Sequence, residues 1–433
     1  MTRAVAAGLL LLLAVACTTP EPPRAEAGAP ENTACAPPQG PPGERLPTTI
    51  DVVEQAYFCI LGGYYRAPAM DHRDLLVAGF AALTRAMPEA PLSLPALTGD
   101  RRADWAAFEA AYRKTTNRED LAVVTLEAMV AALDDNHARW AHDPERPPGY
   151  YDGDGYGLGL QVSGDDPVFV SVVEGGAARA AGLRPGDVVE NADDPELLRP
   201  RYPDARPVEL RLRRGDRRWS VTLTPGLYPR DWATLRTVQA RLVDDAVYVR
   251  VRAFSPDAAN RVFRSIDRLR AGRSVTGIVL DLRGNGGGSP LEATRLVSAF
   301  VHGKVTSHLC RADDRCEPGQ TDDTVPLVGL PLVVLVDWGC ASACEHFSSA
   351  VKDHRAGTLV GTRTAGLISG PAQPFLLRDN TVLSFPTRRH LGPDREIVDR
   401  IGVAPDHFVP PTPEDAAAGH DAALAKALTL LDG

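Results

Sequence analysis

Lysine is scarce in this 433-residue chain. Only four lysines occur among 47 basic residues, at Lys114, Lys304, Lys352 and Lys426, so almost all positive charge is arginine. Because a guanidinium does not give up its proton, arginine cannot replace lysine as a proton acceptor. Acidic residues number 56, and the formal charge of −9 argues against a nucleic-acid-binding protein, which would normally carry a basic surface.

Long apolar runs are also missing, apart from one near the start. The run AVAAGLLLLLAVA after Arg3 is too short to cross a bilayer, which takes about 20 residues. A charged start, a short apolar stretch and small residues before a cut site predict a secretory signal peptide over residues 1–17. Its end, LAVAC, resembles a bacterial lipoprotein box in which Cys17 carries the lipid, although cleavage by an ordinary signal peptidase also fits.

The proline-rich residues 18–44 follow and predict an extended tether. The chain is therefore expected to be exported, as a cell-surface or periplasmic lipoprotein or otherwise as a secreted protein. Membrane contact is expected through the N-terminal lipid alone.

Metal-site patterns are absent from the cysteines and histidines. The chain has no CxxC pair and no His/Cys cluster with zinc-ligand spacing, so we predict no metal. Six cysteines remain after Cys17, and an even number in an exported chain indicates disulfides. The spacing does not decide their pairing, but Cys310–Cys316, which would close a small loop, is the pair we favour.

Hydrophobic periodicity divides the remaining chain into parts with different secondary structure. Residues 45–148 carry apolar side chains at helical spacing and predict an N-terminal helical domain. Residues 149–228 change to short alternating strands, a β-rich pattern. Residues 229–412 alternate buried strands with helices, and residues 413–433 predict a C-terminal helix. The whole pattern predicts a multidomain α/β protein.

A glycine-rich turn opens the β-rich part. Residues 155–160, GYGLGL, precede a predicted strand, and AARAAGLRPGD follows at residues 177–187. The backbone N–H groups of Gly157, Leu158, Gly159 and Leu160 can hold a terminal carboxylate while the peptide adds as a strand to the sheet edge. This pairing resembles a PDZ domain; the alternative is an ordinary β domain with tight turns.

Two further segments carry candidate chemistry in the α/β part. Residues 281–288, DLRGNGGG, end a predicted buried strand and leave backbone N–H groups exposed for an anion or oxyanion. A phosphate loop is the alternative, but its Lys and Ser/Thr are missing. Ser342, in CASACE, lies at a strand-to-helix turn where a nucleophile could act, with the Ala343 N–H stabilising negative charge. The alternative is that Ser342 and Glu345 only form a capping box.

Together these segments resemble the carboxy-terminal processing and tricorn-type serine peptidases of family S41. The resemblance covers residues 120–410 and includes GTRTAG at residues 361–366 and IGVAPD at residues 401–406. It implies a catalytic core of the crotonase/ClpP-like type, Ser342 as nucleophile, and an oxyanion hole formed by Ala343 with Gly287 and Gly288. It also implies polypeptide substrates, held through C-terminal or unfolded segments, and no cofactor.

The chain lacks the lysine that serves as general base in the processing branch. That branch has a lysine just after the Gly-x-x-Thr-x-Gly turn, where this chain has Leu367-Ile368-Ser369. Lys352 lies ten residues beyond Ser342 in the same predicted helix, about 15 Å along its axis, and cannot reach the hydroxyl.

The tricorn-like branch instead takes a histidine from L-x-D-x-H just before its PDZ domain, and residues 133–137 of this chain read LDDNH. The resemblance therefore implies His137 as the general base and Asp399 as the acid that orients it, with Glu396 as second choice. Because the lysine is missing, a catalytically inactive, PDZ-bearing peptide-binding scaffold is the alternative function.

Overall fold

The computed structural model describes residues 35–432, except for 41, 89–91, 116–118, 142–146, 150–153, 164–167, 193–194, 199, 201, 203–204 and 229–236. The signal peptide predicted over residues 1–17, including Cys17, lies outside the described residues, as does most of the predicted tether. Within these described residues, no helix combines the length and apolar character that a membrane span requires.

Four helices and one short strand form the first part of the structure. They are α1 (Ile50–Gly63), α2 (Arg73–Ala86), α3 (Arg101–Tyr112), α4 (Glu119–Ala131) and β1 (Arg139–Ala141). The apolar faces that the periodicity predicts pack into one core, and Asp100 caps α3 by accepting the Ala103 N–H at 2.8 Å. The same core includes Leu377, Leu383 and Phe385, so these helices share their interior with a much later segment.

The second part of the structure contains seven strands and one short helix: β2 (Gly155–Gly157), β3 (Leu160–Ser163), β4 (Phe169–Val172), α5 (Ala177–Ala180), β5 (Val188–Val189), β6 (Val208–Arg214), β7 (Arg217–Leu223) and β8 (Gly226–Tyr228). Five of the strands form an antiparallel sheet in the order β3-β4-β5-β6-β7, and β2 and β8 form a separate two-stranded pair. Alternate side chains such as Leu210 and Leu212 fill its core. Strand β3 is at the edge of the sheet.

The last part is an α/β unit. Its strands are β9 (Val238–Val243), β10 (Ala246–Val251), β11 (Gly277–Asp281), β12 (Val305–Cys310), β13 (Cys316–Gln320), β14 (Leu332–Val336), β15 (Thr358–Gly361), β16 (Ala372–Leu376), β17 (Val382–Pro386), β18 (Arg389–Leu391) and β19 (His407–Phe408). Its helices are α6 (Ala258–Arg270), α7 (Pro290–Ser298), α8 (Ala343–Asp353), α9 (Pro413–Ala418) and α10 (Ala422–Asp432).

Six of these strands form the central sheet, in the order β19-β15-β14-β11-β10-β9. All neighbours are parallel except β9, which runs antiparallel to β10. Helices α6, α7 and α8 cover one face and α10 the other, so every residue of β11 and β14 is buried. The carboxyl ends of β11, β14 and β15 lie side by side, which is where open α/β sheets place their ligand sites.

The C-terminal segment differs from the single helix predicted over residues 413–433. Gly419 adopts a left-handed conformation (φ 70°) that ends α9, and α10 begins three residues later. Three disulfides are present in the described residues: Cys310–Cys316, the pair favoured from the sequence, together with Cys35–Cys59 and Cys340–Cys344.

Candidate active site

Ser342 lies at the junction of β14 and α8, at the carboxyl edge of the central sheet. Its backbone has φ 57° and ψ −120°, a conformation that non-glycine residues rarely adopt. Its N–H donates to the Leu367 carbonyl at 3.1 Å and to Glu345 Oε2 at 3.2 Å. These bonds hold the strained turn, and strain of this kind is typical of functional sites.

Glu345 connects the turn at residues 364–367 to the first turn of α8 through hydrogen bonds. Its buried carboxylate accepts Thr364 Oγ1 at 2.6 Å, the Gly366 N–H at 2.6 Å and the Leu367 N–H at 2.8 Å, in addition to the Ser342 N–H. Burial raises the pKa of Glu345, and these hydrogen bonds oppose that rise. With every contact going to local backbone and a threonine, Glu345 acts as a cap, as the sequence predicts, and not as a catalytic acid.

His137 reaches Ser342 across 205 residues of chain. Its Nε2 lies 3.1 Å from Ser342 Oγ, within hydrogen-bond distance. The segment is fixed because β1, two residues later, pairs antiparallel with β17, with Arg139 opposite Ser384. Arg400 adds an ion pair to Asp134 at 2.7 Å. Pairing of β1 therefore brings the predicted base to the predicted nucleophile.

The other ring nitrogen of His137 contacts a small polar group. Ser369 Oγ lies 3.3 Å from His137 Nδ1 and donates to Asp135 Oδ1 at 2.7 Å. Asn136 Oδ1 also contacts Nδ1. Ser369 is not among the site residues predicted from the sequence, although it occupies the stretch where the processing branch has its lysine. Its hydroxyl links the imidazole to a carboxylate.

Asp399, the predicted orienting acid, does not bond to the imidazole in the described part of the chain. Its Oδ1 accepts the Asn136 side-chain amide at 3.0 Å and the Ile368 N–H at 3.1 Å. It therefore acts on His137 through charge and through Asn136. The second-choice acid, Glu396, instead faces Asp353; burial and that neighbour raise its pKa to about 7.

The electrostatic balance keeps His137 neutral under ordinary conditions. Burial lowers the pKa of His137 below its usual value of 6.5, while the negative charges of Asp135 and Asp399 oppose that decrease. A neutral imidazole can accept the hydroxyl proton, and the same carboxylates stabilise the imidazolium that then forms.

The glycine-rich strand end lies against the serine turn. A Cβ on Gly287 would be 2.7 Å from Ser342 Cβ and 3.0 Å from the Ala343 nitrogen. Gly287 departs from its expected role as a donor, because its N–H donates to Asn285 Oδ1 at 2.8 Å. The N–H groups of Ala343 and Gly288 have no partner within the described residues and remain available to an oxyanion.

The other basic side chains near Ser342 in sequence have partners elsewhere. Lys352 Nζ donates to the Ala404 carbonyl at 2.6 Å, consistent with the prediction that it cannot reach the hydroxyl. His346 is buried beside Thr294, and burial lowers its pKa to about 4. His354 contacts the Val305 carbonyl at 2.7 Å. Among the residues that the structure describes, no group of three or more His, Cys, Asp or Glu side chains could hold a metal.

The predicted carboxylate-binding turn lies before the edge strand β3. Gly157 and Gly159 have positive φ angles of 137° and 69°, and Gly159 packs so closely on Gly176 that a Cβ would be 2.5 Å from its Cα. Among the described residues the N–H groups of Leu158 and Gly159 have no hydrogen-bond partner. Leu160 then begins β3.

Three comparisons place these features among known proteins. A family profile, peptidase family S41, matches residues 245–409. A curated relative, carboxyl-terminal-processing peptidase 2 (chloroplastic) of Arabidopsis thaliana, is 29% identical over 71% of this chain. A probable CtpA-like serine protease of Staphylococcus haemolyticus is 25% identical over 72% of it. The chain spans 66% of the length of each relative, slightly under two thirds.

A solved structure supports the fold. The photosystem II D1 C-terminal processing protease aligns with 86% of this chain and 97% of its own, with a TM-score of 0.53 and 21% identity. At that identity the likeness concerns the α/β architecture alone. The profile matches the α/β unit and the curated relatives match most of the chain, so together these comparisons show that the chain is similar to proteins of peptidase family S41.

Proposed function

We propose that this protein is an exported serine endopeptidase in which Ser342 is the nucleophile and His137 the general base. The observation that carries the proposal is the 3.1 Å separation of His137 Nε2 and Ser342 Oγ at the N-terminus of α8. Nucleophile and base within hydrogen-bond reach, with the base contacted on its far side, is the arrangement that activates a hydroxyl.

The reaction follows from the positions of these groups. Ser342 Oγ attacks the peptide carbonyl carbon while His137 Nε2 takes its proton. The carbonyl oxygen becomes an oxyanion, which the N–H groups of Ala343 and Gly288 stabilise together with the positive end of α8. The imidazolium then protonates the leaving amine, and water, deprotonated by His137, releases the acyl-enzyme.

The carboxylates behind His137 support the charged intermediate. Asp135 and Asp399 both favour the imidazolium. Ser369 orients the ring through its contact with Nδ1. We assign catalysis to Ser342 and His137, and positioning to Ser369, Asp135 and Asp399.

We also propose that residues 149–228 form a PDZ domain that captures polypeptide ends. Support comes from the unpaired N–H groups of Leu158 and Gly159 and from the edge position of β3. A bound C-terminus would raise the local concentration of substrate near Ser342. In this division residues 45–148 are a helical N-terminal domain and residues 229–412 a crotonase/ClpP-like catalytic domain.

Export and lipid attachment at Cys17 complete the proposal. Three disulfides in the described residues are typical of an oxidising compartment. Expression in a bacterial host with labelled palmitate tests the lipid: incorporation should be lost in Cys17→Ser, and labelling that persists in this variant would contradict it.

A fluorophosphonate probe with an unfolded protein substrate, such as casein, tests the catalytic assignment. We expect labelling and casein cleavage by the folded chain, neither in Ser342→Ala, and a loss of about 10²- to 10⁴-fold in His137→Gln. Ser220→Ala, an exposed serine on β7, is the matched control and should behave like the parent.

Three results would contradict the assignment in whole or in part. Equal labelling of the parent and Ser342→Ala would remove Ser342 as nucleophile. A folded chain that neither labels nor cleaves casein, yet binds peptides, would favour the inactive scaffold. Unchanged turnover in His137→Gln would remove the base and leave the nucleophile in place.

A further inference from the structure

A cavity of about 680 Å³ lies between the edge strand β3 and the carboxyl end of the central sheet. One wall is formed by residues 160–163 of β3. The opposite wall includes three arginines, Arg250, Arg252 and Arg283. The cavity is thus bordered both by residues of an edge strand and by a cluster of positive charge.

The exposed edge of β3 is suited to an extended peptide. Within the described residues β3 pairs with β4 alone, from Leu160 opposite Val172 to Ser163 opposite Phe169. Its second edge therefore offers N–H and C=O groups to an added strand. Every second side chain of such a strand would point to the same face of the widened sheet.

Two of the three arginines already have carboxylate partners. Arg283 Nη2 lies 2.7 Å from Asp281 and 2.8 Å from Asp421, and Arg250 Nη1 lies 3.1 Å from Asp281. The acids of the wall have partners of their own. Asp421 pairs with Arg283, and Asp337 accepts the backbone N–H groups of Gly284 and Gly339. Asp415, also in the wall, pairs with His420 at 2.7 Å.

The third arginine has no such partner in the part of the chain that the structure describes. Arg252 lies two residues beyond Arg250, is only partly exposed, and its buried Nε has no hydrogen-bond partner. Burial and the neighbouring charge of Arg250 lower the pKa of Arg252, and the negative charge of Asp281 opposes that decrease only in part. A partly buried guanidinium that is not paired with a carboxylate can bind an anionic group that enters the cavity.

We propose that a substrate polypeptide, added as a strand to β3, places an acidic side chain upstream of its C-terminus against Arg252. This subsite rests on the proposed peptide capture by residues 149–228 and adds a sequence preference to it. The glycine turn holds the terminal carboxylate, and Arg252 selects a glutamate or aspartate further back in the same segment.

Binding to the full mature chain carrying Ser342→Ala, which cannot cleave, tests the subsite. The probes are fluorescent peptides with an apolar C-terminal residue and one Glu moved through the preceding positions, each with a Gln counterpart, plus a C-terminal amide. We expect at least one position at which Glu binds about tenfold tighter than Gln. In Ser342→Ala/Arg252→Gln that ratio should fall to about one, while amidation weakens binding as before.

Arg268→Gln is the charge-matched control, since Arg268 is exposed on α6, outside this cavity. It should preserve the Glu-to-Gln ratio, and Arg252→Lys should retain part of it. Thermal melts of each variant separate loss of the subsite from loss of the fold.

Three results would overturn the subsite. Peptides that bind with a Glu-to-Gln ratio near one at every position would remove it and leave peptide capture intact. Loss of the amidation effect in Arg252→Gln, with the ratio unchanged, would assign Arg252 to the terminal carboxylate instead. If no peptide binds, both peptide capture and the subsite are wrong, while fluorophosphonate labelling still reports on Ser342 separately.

Discussion

Gly287 lies so close to the catalytic turn that it has no room for a side chain. Its φ of 105° disfavours any L side chain, and a Cβ would be 2.7 Å from Ser342 Cβ and 2.8 Å from the Ala341 carbonyl oxygen. Since backbone cannot rotate away as a flexible side chain can, we expect Gly287→Ala to displace the turn. The predicted loss in kcat/KM for casein-derived peptides is at least about 10²-fold, comparable to removing an oxyanion donor.

The neighbouring residue provides the control for this prediction. A Cβ on Gly286 would meet nothing within 4 Å, and its φ lies outside the left-handed region. Gly286→Ala should retain activity within a few-fold. Similar losses in both variants would mean that the loop is generally intolerant, and that close packing of Gly287 on Ser342 is not the cause.

The charge around His137 predicts how activity depends on pH. A general base must be neutral, and burial lowers the pKa of His137 below 6.5, so kcat/KM should fall only below that pH. Asp399 favours the imidazolium, so its replacement in Asp399→Asn makes protonation harder and should move the acid limb to lower pH. Initial rates between about pH 4 and pH 8 measure the midpoint.

Asp267→Asn removes an exposed carboxylate on α6 that pairs with Arg270 at 2.7 Å. The charges that shift the pKa of His137 are those of Asp135, Asp399 and Arg139, so Asp267→Asn is the matched control. The midpoint of its acid limb should equal that of the parent. A midpoint that rises in Asp399→Asn, or that moves equally in both variants, would show that the limb does not report on His137.

At the level of elements, the junction between β14 and α8 is held by a disulfide that spans Ser342, the proposed nucleophile. Cys340 and Cys344 flank Ser342 symmetrically, and both are fully buried. Because the bond restrains a turn with an unfavourable φ, we expect Cys340→Ala/Cys344→Ala to lower kcat about tenfold while KM changes little. Steady-state kinetics on one peptide substrate separates the two constants.

A second disulfide in the same unit is the matched control. Cys310 and Cys316 join β12 to β13 at the end of a hairpin. Cys310→Ala/Cys316→Ala should retain kcat, since this bond holds no catalytic group. Equal losses in the two double variants would point to a general effect of disulfide removal.

Elements whose hydrophobic pattern matches their burial could be predicted from the sequence. Strands β10, β11 and β14 are apolar runs that are buried on both faces, as the alternation of buried strands and helices over residues 229–412 predicts. The hairpin β12-β13 was not predicted, because Cys316–Gln320 reads CEPGQ, with a proline and a glycine. The break between α9 and α10 is marked in the sequence by Gly419, although residues 413–433 had been predicted as one helix.

At the scale of the whole molecule, the turn at Ser342 could be predicted from the local sequence, but its contact with His137 could not. The turn after β14 is a local feature, whereas His137 reaches it because the three residues of β1 pair with β17. No periodicity in Arg139–Ala141 indicates a partner more than 200 residues away, and the resemblance to tricorn-type peptidases supplied His137 instead. Ser369 depends on the same long-range pairing, so its role had no signal of its own.

The pairing of β1 with β17 belongs to a larger shared interior. Phe385 of β17 is fully buried in the core of the N-terminal helices, stacked on Phe375 with ring centroids 4.7 Å apart and edge-on to Tyr64 at 6.2 Å. The Tyr65 N–H also donates to the Pro386 carbonyl at 3.1 Å. The helices and the catalytic unit are therefore expected to unfold together.

Phe385→Ala tests that coupling. Removing a fully buried phenylalanine should lower the free energy of unfolding by about 3–5 kcal/mol. Because β17 also holds β1, casein cleavage should disappear at the same urea concentration as tryptophan fluorescence and helical signal, in one transition shifted to lower urea. Phe408→Ala, at a side chain that is 69% exposed, should change stability by no more than about 0.5 kcal/mol. Two separate transitions, with only the helical one shifted, would mean that the helices fold as an independent unit and that His137 is positioned by β1 alone.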